Sequence, residues 1–337
     1  MYNRRPVKEW VLGIDIGGTT LKAALVRRDG SFGEARSKSS RLPDRDSFRR
    51  ALQGLVRELA RALPSGARLS AVGIGCKGTI ARGACRVRTL PGAFRYLEGA
   101  PLDAWIVRAL GRRIGVTLDN DARAALAGER RWGAARGKRD VVLLTLGSGV
   151  GGAIAAAGRM LDGHANVAGH LGHVVVEVDG PDCSCGNRGC LEAIFSARAI
   201  EGAALAAIRR GCESRLYERF APRPEALTCL DVFSAAAAGD TLAGEIVRRG
   251  VAALGAALAG IASALDPELF LLGGQIAEAG RALFAPLRRD LDRRTARLVG
   301  RRIPIRRAAL GERAGIAGAA ALGWDALESK YPYSQLR

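Results

Sequence analysis

All three histidines of the chain (His164, His170, His173) and three of its seven cysteines (Cys183, Cys185, Cys190) fall inside residues 163–192, GHANVAGHLGHVVVEVDGPDCSCGNRGCLE. Histidines scattered through a core rarely cluster in this way. Neutral imidazole and thiolate together suit a tetrahedral ion, and one His with three Cys is a recognised structural zinc set. The plain alternative is a patch of reduced thiols. The spacing CxC-x4-C favours a metal-stapled loop, with the choice of histidine left open.

Two further groups of residues could do chemistry. Asp119, Asn120 and Asp121 stand where an apolar run meets a helical pattern, in GVTLDNDARAALAGERRWG. Acidic and amide side chains are ordinary helix N-caps, which accounts for one of the three. A run of three leaves another to face a cleft, and a general base needs such an accessible carboxylate.

The other group is a pair of glycine turns. VLGIDIG ends at Gly17, Gly18, Thr19 and Thr20, and LKAALVRR follows at once; DVVLLTLGSGVGGAIAAAG repeats the layout around Gly147, Ser148 and Gly149. Each reads as a strand, a tight turn and a second strand. Neither matches GxxxxGK[ST] or a GxGxxG that opens a helix, so a P-loop and a dinucleotide fold are excluded. Glycine lacks a Cβ, so backbone N–H groups and threonine hydroxyls at such a turn can approach a phosphate. Asp15 would help there only with a cation between carboxylate and phosphate; otherwise it is simply a strand-end Asp. Two turns of one design suggest two related domains that grip one phosphate chain.

Several elements must position these groups. Residues 44–63 carry Phe48, Leu52, Leu55, Val56, Leu59 and Leu63 at helical spacing, an amphipathic helix. LSAVGIG is a buried strand that opens into CKGTIARGACRVRTLPGAF. A loop at the carboxyl end of a strand is where α/β sheets bind ligands, so Gly78 and Thr89 are candidate substrate contacts. AIFSARAIEGAALAAIRRG and DVFSAAAAGDTLAGEIVRRGVAALGAALAGIASALD each read as a long helix. PELFLLGGQIAEAG gives a strand, a third glycine turn at Gly273 and Gly274 that could lie flat against a nucleotide, and a helix. The chain ends in a strand and a small-residue helix that could cross back to the first domain.

Bulk composition bounds the partners. A chain of 337 residues suggests two domains, and 48% hydrophobic with 25% charged residues fits a globular protein. The net charge of +19 rests almost wholly on arginine, since lysine occurs only at positions 8, 22, 38, 77, 138 and 330. The arginines are scattered without a long basic run or interleaved aromatics, so we expect no nucleic-acid site, only a surface that favours anionic ligands. No uninterrupted apolar stretch reaches about 18 residues and the N-terminal residues lack an apolar signal core, which predicts a cytoplasmic protein with no membrane partner. An odd cysteine count argues for reduced thiols and metal over a disulfide framework.

The motifs DIGGTTLKAALV, LDNDARAALAGE, LTLGSGVGGAI, AGHLGHVVVEVDGPDCSCGNRGCLE and LLGGQI, in this order and spacing, resemble the ROK family of repressors, open reading frames and sugar kinases. The resemblance covers roughly residues 10–325. It implies the actin-like ATPase fold: two ribonuclease-H-like α/β domains around a cleft. The first domain is expected over residues 1–118 with a C-terminal helix at about 315–330, and the second over 119–314 with a zinc loop at 164–192.

By resemblance the chain is an ATP-dependent sugar kinase acting on the 6-hydroxyl of a hexose or N-acylhexosamine, with Mg²⁺ and a structural Zn²⁺. Asp121 resembles the general base. Asn120, His170, His173 and Glu192 resemble sugar ligands beside it. Asp15, Gly17, Gly18, Thr19, Thr20 and Lys22 would serve the nucleotide phosphates from one side, and Thr145, Gly147, Ser148 and Gly149 from the other, with Gly273 and Gly274 near the adenosine. His173, Cys183, Cys185 and Cys190 resemble the zinc ligands.

Two departures bear on the acceptor. His170 replaces the Glu of the family's ExGH motif, and the resulting AGHLGH is similar to the AGHxGH of bacterial N-acetylmannosamine kinases. Arg123 replaces the common Asn of NDAN. Glucose and N-acetylmannosamine are thus the leading acceptors. The family's other branch, a non-catalytic sugar-sensing regulator, is the alternative. It would carry a DNA-binding module ahead of the first glycine hairpin, where only about ten residues stand. Family members also imply a homo-oligomer, dimer or tetramer.

Overall fold

The apolar run before the first glycine turn forms β1 (Lys8–Ile16), which pairs antiparallel with β2 (Thr20–Val26), itself antiparallel to β3 (Phe32–Ser39). The computed structural model describes residues 8–81, 83–90 and 92–328. α1 (Arg45–Arg61) starts at Asp44, whose side chain accepts from the Ser47 N–H, and buries Phe48, Leu52, Leu55, Val56 and Leu59 on one face. β4 (Ala67–Cys76) runs parallel to β1. The segment beyond it, expected as a loop, contains a short hairpin of β5 (Thr79–Ile80) and β6 (Val87–Thr89). Arg82 and Pro91 of that segment lie outside the described residues. α2 (Leu102–Leu110), β7 (Gly115–Asn120), parallel to β4, and α3 (Asp121–Trp132) follow.

The backbone divides into two units, one spanning Met1–Gly137, Asp162–Ala168 and Ala309–Arg337, the other Lys138–Leu161 and Gly169–Ala308. The boundary expected at residue 118 falls instead at Gly137, and residues 162–168 also belong to the first unit. Small residues explain the shift: a Cβ at Gly128 of α3 would meet the Gly318 backbone at 3.0 Å, so the two helices touch backbone to backbone.

The second unit opens with β8 (Val141–Leu146), β9 (Val150–Ala156) and β10 (Arg159–Met160). It continues with α4 (Leu191–Phe195), α5 (Ala197–Arg209), α6 (Arg215–Phe220), α7 (Cys229–Ala237) and α8 (Thr241–Leu265). β11 (Leu269–Gly273), α9 (Arg281–Val299) and β12 (Ile305–Arg307) complete it. Two patterns expected as single helices are each broken by a cap. Ser196 separates α4 from α5 and accepts from Ala199 N–H, and Asp240, after Gly239, accepts from Ala243 N–H to start α8. Serine and aspartate compete for backbone donors, so they favour helix starts over helix interiors. α8 is long and apolar enough to cross a membrane, yet Val251, Leu254, Leu258 and Ile261 are buried in the core of this unit.

α10 (Ala314–Glu328) returns to the first unit, as its small-residue pattern predicts; residues 329 and 330 of the expected helix lie outside the described residues. It lies close over β1 and β4, because Gly13 and Gly73 leave room for the carbonyls of Ile316 and Ala319.

The strand orders are β3-β2-β1-β4-β7 in the first unit and β10-β9-β8-β11-β12 in the second. In both, three antiparallel strands continue into two parallel ones, so the repeated glycine turns mark a repeated sheet.

Candidate active site

In the first unit the chain leaves β1 at Ile16, and Gly17 N–H donates to the Thr20 carbonyl at 3.1 Å to close the turn. Buried Ser40, which carried no signal in the sequence, holds this turn: its Oγ donates to the Gly17 carbonyl at 2.7 Å and its N–H to the Thr19 carbonyl at 3.1 Å. Among the described residues, and leaving out its chain neighbours, nothing lies within 4 Å of where a Gly18 Cβ would stand, so there is open space on this face. Thr19 and Thr20 hydroxyls are 3.4 Å apart.

One residue before the end of β1, Asp15 pairs in register with Lys22. Burial, and after it the negative charge of Asp121, pushes the Asp15 carboxyl up to about 6, while Lys22 acts in the opposite direction. A buried carboxyl whose ionisation a second carboxylate opposes suits a bound cation. Gly315, at the start of α10, leaves room for the Asp15 side chain.

The structure separates the three residues at the β7–α3 junction. Asp119 is buried, accepts from Asn120 N–H at 2.8 Å and from Arg123 Nε at 3.0 Å. Burial raises its carboxyl above the ordinary range against the pull of Arg123. Asn120 is the N-cap of α3, accepting from Ala122 N–H at 2.9 Å, and its Nδ2 donates to the Gly78 carbonyl at 3.0 Å. Asp121 is the first residue of the helix, half-buried, with Oδ1 2.9 Å from the Ala122 N–H that donates to it. Asn120 is thus the cap and Asp119 the buried member of the ion pair.

Gly78 sits at φ 92°, a left-handed conformation that a side chain would strain, and a Cβ there would collide with the Thr89 carbonyl. Thr89 is exposed on β6 and its hydroxyl lies 2.5 Å from that of Thr79. Asn120 and both candidate substrate residues thus share one corner of the first unit.

In the second unit the turn after β8 is fastened from three sides. Ala197 N–H donates to the Gly147 carbonyl at 2.8 Å, Arg198 Nε to the Ser148 carbonyl at 2.6 Å, and Val150 N–H to Glu192 Oε2 at 2.7 Å. A Cβ on Gly149 would lie 2.5 Å from that Glu192 oxygen, so a side chain there would displace the Glu192 carboxylate. Glu192, expected at the sugar, tethers this glycine turn through the Val150 N–H. Thr145 pairs in register with Gly273, and Gly274, at φ 85°, packs on the Leu146 backbone, so the third glycine turn adjoins the second.

The cysteines and one histidine converge in the same unit. Ligand atoms of His173, Cys183, Cys185 and Cys190 all lie within 4.8 Å of one another. Cys183 Sγ is 3.6 Å from His173 Nδ1, and Cys185 Sγ is 3.7 Å from Cys190 Sγ. A regular tetrahedron around zinc has N–S edges of about 3.6 Å and S–S edges of about 3.8 Å, so the set fits that ion. Burial and the neighbouring thiols push Cys190 up to about 12, and a divalent cation is what would hold three thiolates together. All seven cysteines are free.

The backbone supports this cluster: Cys183 N–H donates to the Asn187 carbonyl at 2.8 Å, Gly186 N–H to the Cys183 carbonyl at 3.0 Å, and Leu191 N–H to the Val174 carbonyl at 2.9 Å. The rings of His170 and His173 stack, with centroids 6.5 Å apart. His164 belongs to the first unit and is not a member of this ligand set.

Comparison with known proteins fits this geometry. The family model described as "ROK family" matches residues 11–326. A glucokinase of Thermotoga maritima is 38% identical over 82% of this chain and 86% of its own length. An N-acetylmannosamine kinase of Citrobacter koseri is 34% identical over 79% of this chain and 83% of its own. Among solved structures, a ROK family glucokinase from Streptomyces griseus in complex with glucose and AMPPNP superposes with a TM-score of 0.78 at 30% identity, covering 94% of this chain and 99% of that one. On these grounds the chain belongs to the ROK family, with the actin-like ATPase fold that its two repeated sheets display.

Proposed function

We propose that the protein is an ATP-dependent sugar kinase that transfers the γ-phosphoryl group of ATP to the 6-hydroxyl of a hexose or N-acylhexosamine, with glucose and N-acetylmannosamine as the leading acceptors. The observation that carries the proposal is the separation of roles at the start of α3, where Asp119 is buried in an ion pair, Asn120 caps the helix, and Asp121 is the half-buried carboxylate of the first turn. The kinases among its relatives support the same reading.

In this mechanism Asp121 accepts the proton of the 6-hydroxyl as that oxygen attacks the γ-phosphorus; the bond to the β-phosphate oxygen breaks and ADP leaves. Asn120 uses one of its two amide protons on Gly78, which leaves the other for an acceptor hydroxyl. Gly17 to Thr20 and Gly147 to Gly149 present N–H and hydroxyl donors to the phosphates. Asp15 would hold Mg²⁺, which when bound supplies charge neutralisation along the phosphate chain. A carboxylate has about four acceptor positions, so Glu192 can receive a sugar hydroxyl while it keeps the Val150 N–H. His170, where an imidazole can donate as well as accept, is assigned to the substituent at C2.

Zn²⁺ held by His173, Cys183, Cys185 and Cys190 would be closed by four protein ligands and so would supply structure, not Lewis acidity. Its task would be to hold His173 and Glu192 against the sugar ring. A cytoplasmic homo-oligomer without nucleic-acid or membrane partners completes the proposal.

The test is ADP release with glucose, N-acetylmannosamine, N-acetylglucosamine, mannose and fructose. Turnover on at least one sugar is expected; sugar binding with no ADP release from any of them would instead favour the non-catalytic regulator.

A further inference from the structure

Asp162–Ala168 belongs to the first unit, and nothing above gives it a role. The segment folds back on itself: Ala168 N–H donates to the Asp162 carbonyl at 3.2 Å, and Gly163 and Asn166 take left-handed backbone angles, φ 72° and 60°. Two side chains fasten it to its surroundings. Asn166 Nδ2 donates to the Ile80 carbonyl at 3.0 Å. Asp162 is ion-paired with Arg123, which is 2% exposed and also donates to Asp119.

These contacts close a ring. Arg123 holds Asp119 and Asp162, Asp119 receives the Asn120 N–H, Asn120 donates to Gly78, and Ile80, two residues on, receives Asn166. The acceptor residues proposed for this unit, Gly78 and Asn120, are members, and Asp121 lies in the helical turn that Arg123 and Asp119 bracket. A buried guanidinium between two carboxylates is a poor way to gain stability, because desolvation offsets the attraction; its rigid fork is a good way to fix directions.

We propose that Arg123 is a positioning residue for the acceptor sugar, acting through Asp162 to hold the Asp162–Ala168 loop as a wall beside Asn120 and Gly78. The proposal rests on the sugar-kinase reading above. It also accounts for the departure from NDAN, since an Asn side chain at position 123 could not span both carboxylates.

The test is steady-state kinetics of the full chain with sugar and ATP varied separately, for wild type, Arg123→Gln, Asp162→Asn and the double variant, on glucose and on N-acetylmannosamine. Each single variant should raise the sugar KM about tenfold and leave the ATP KM within about twofold, since small misplacements of a bound substrate are costly. The double variant should be no worse than Arg123→Gln, because the two act through one pair. A lowered melting temperature with an unchanged sugar KM, or equal rises in both KM values, would identify a purely structural ion pair and overturn the proposal. Should Arg123→Gln fail to fold, Asp162→Asn, which alters the more exposed partner, decides by the same criterion. A wild type inactive on all five sugars of the panel above would overturn the kinase reading together with this one, a result distinct from an active enzyme whose sugar KM ignores the pair.

Discussion

Burial and the charge of Asp121 lift the Asp15 carboxyl from 3.8 to about 6, so in the nucleotide-free protein this residue sets stability against function. A raised carboxyl means that the folded state binds the proton more readily than the unfolded chain. Its contribution to stability therefore falls as pH rises from about 4 to about 6, and above that window the ionised group is a net cost. Asp15→Asn should raise stability at pH 7.5 by about 1–3 kcal/mol, flatten the pH dependence of the melting temperature between about pH 4 and 6, and lower turnover at least about a hundredfold. Thermal melts without nucleotide and ADP release at saturating substrate check both halves. Unchanged melting with full turnover would remove Asp15 from the site. The same residue shows what residue types alone conveyed: a strand-end Asp followed by two glycines marked the turn, but the proximity of Asp121, separated by 106 positions, arose only with β1, β4 and β7 in one sheet.

At the scale of the element, the loop around residues 173–190 contains little regular secondary structure, and the zinc proposed for its Cys and His residues would hold it. Among the described residues its strand pairing is limited to isolated bridges, Val175 with Cys190 and Asp182 with Arg188, beside the backbone hydrogen bonds of its turns. Binding energy from a structural ion is folding energy for such a loop. Elemental analysis should find about one zinc per chain, and Cys185→Ser should lose it and lower the melting temperature by at least about 5 °C. Metal retained in Cys185→Ser at an unchanged melting temperature would contradict the staple. The array itself was readable from the sequence because thiols and imidazoles are rare and their spacing is short-range. Ser196 and Asp240 were hidden in Ala-rich periodicity, where one capping residue outweighs a long helical pattern. Ser40, Arg198 and Asp162 left no signal, since each acts on an element distant in sequence.

At the scale of the whole molecule, a single design appears twice. The same strand order carries a glycine turn at the end of its first strand in each unit, and the sequence disclosed this because strand, turn and strand are contiguous. Unit membership was less legible. α3 goes with α10 because Gly128 and Gly318 permit a close approach, a complementarity between segments almost 200 positions apart that no local pattern reports. The central claim joins the scales: one carboxylate, placed by one helix start, does the chemistry for the whole fold. The most direct measurement compares wild type with Asp121→Asn for sugar and ATP binding by calorimetry and for ADP release on the preferred sugar. Affinities within about threefold of wild type and a fall in kcat of at least about a thousandfold are predicted, the size expected for loss of a general base and of the charge it carries into the transition state. Turnover by Asp121→Asn close to that of wild type would contradict the account.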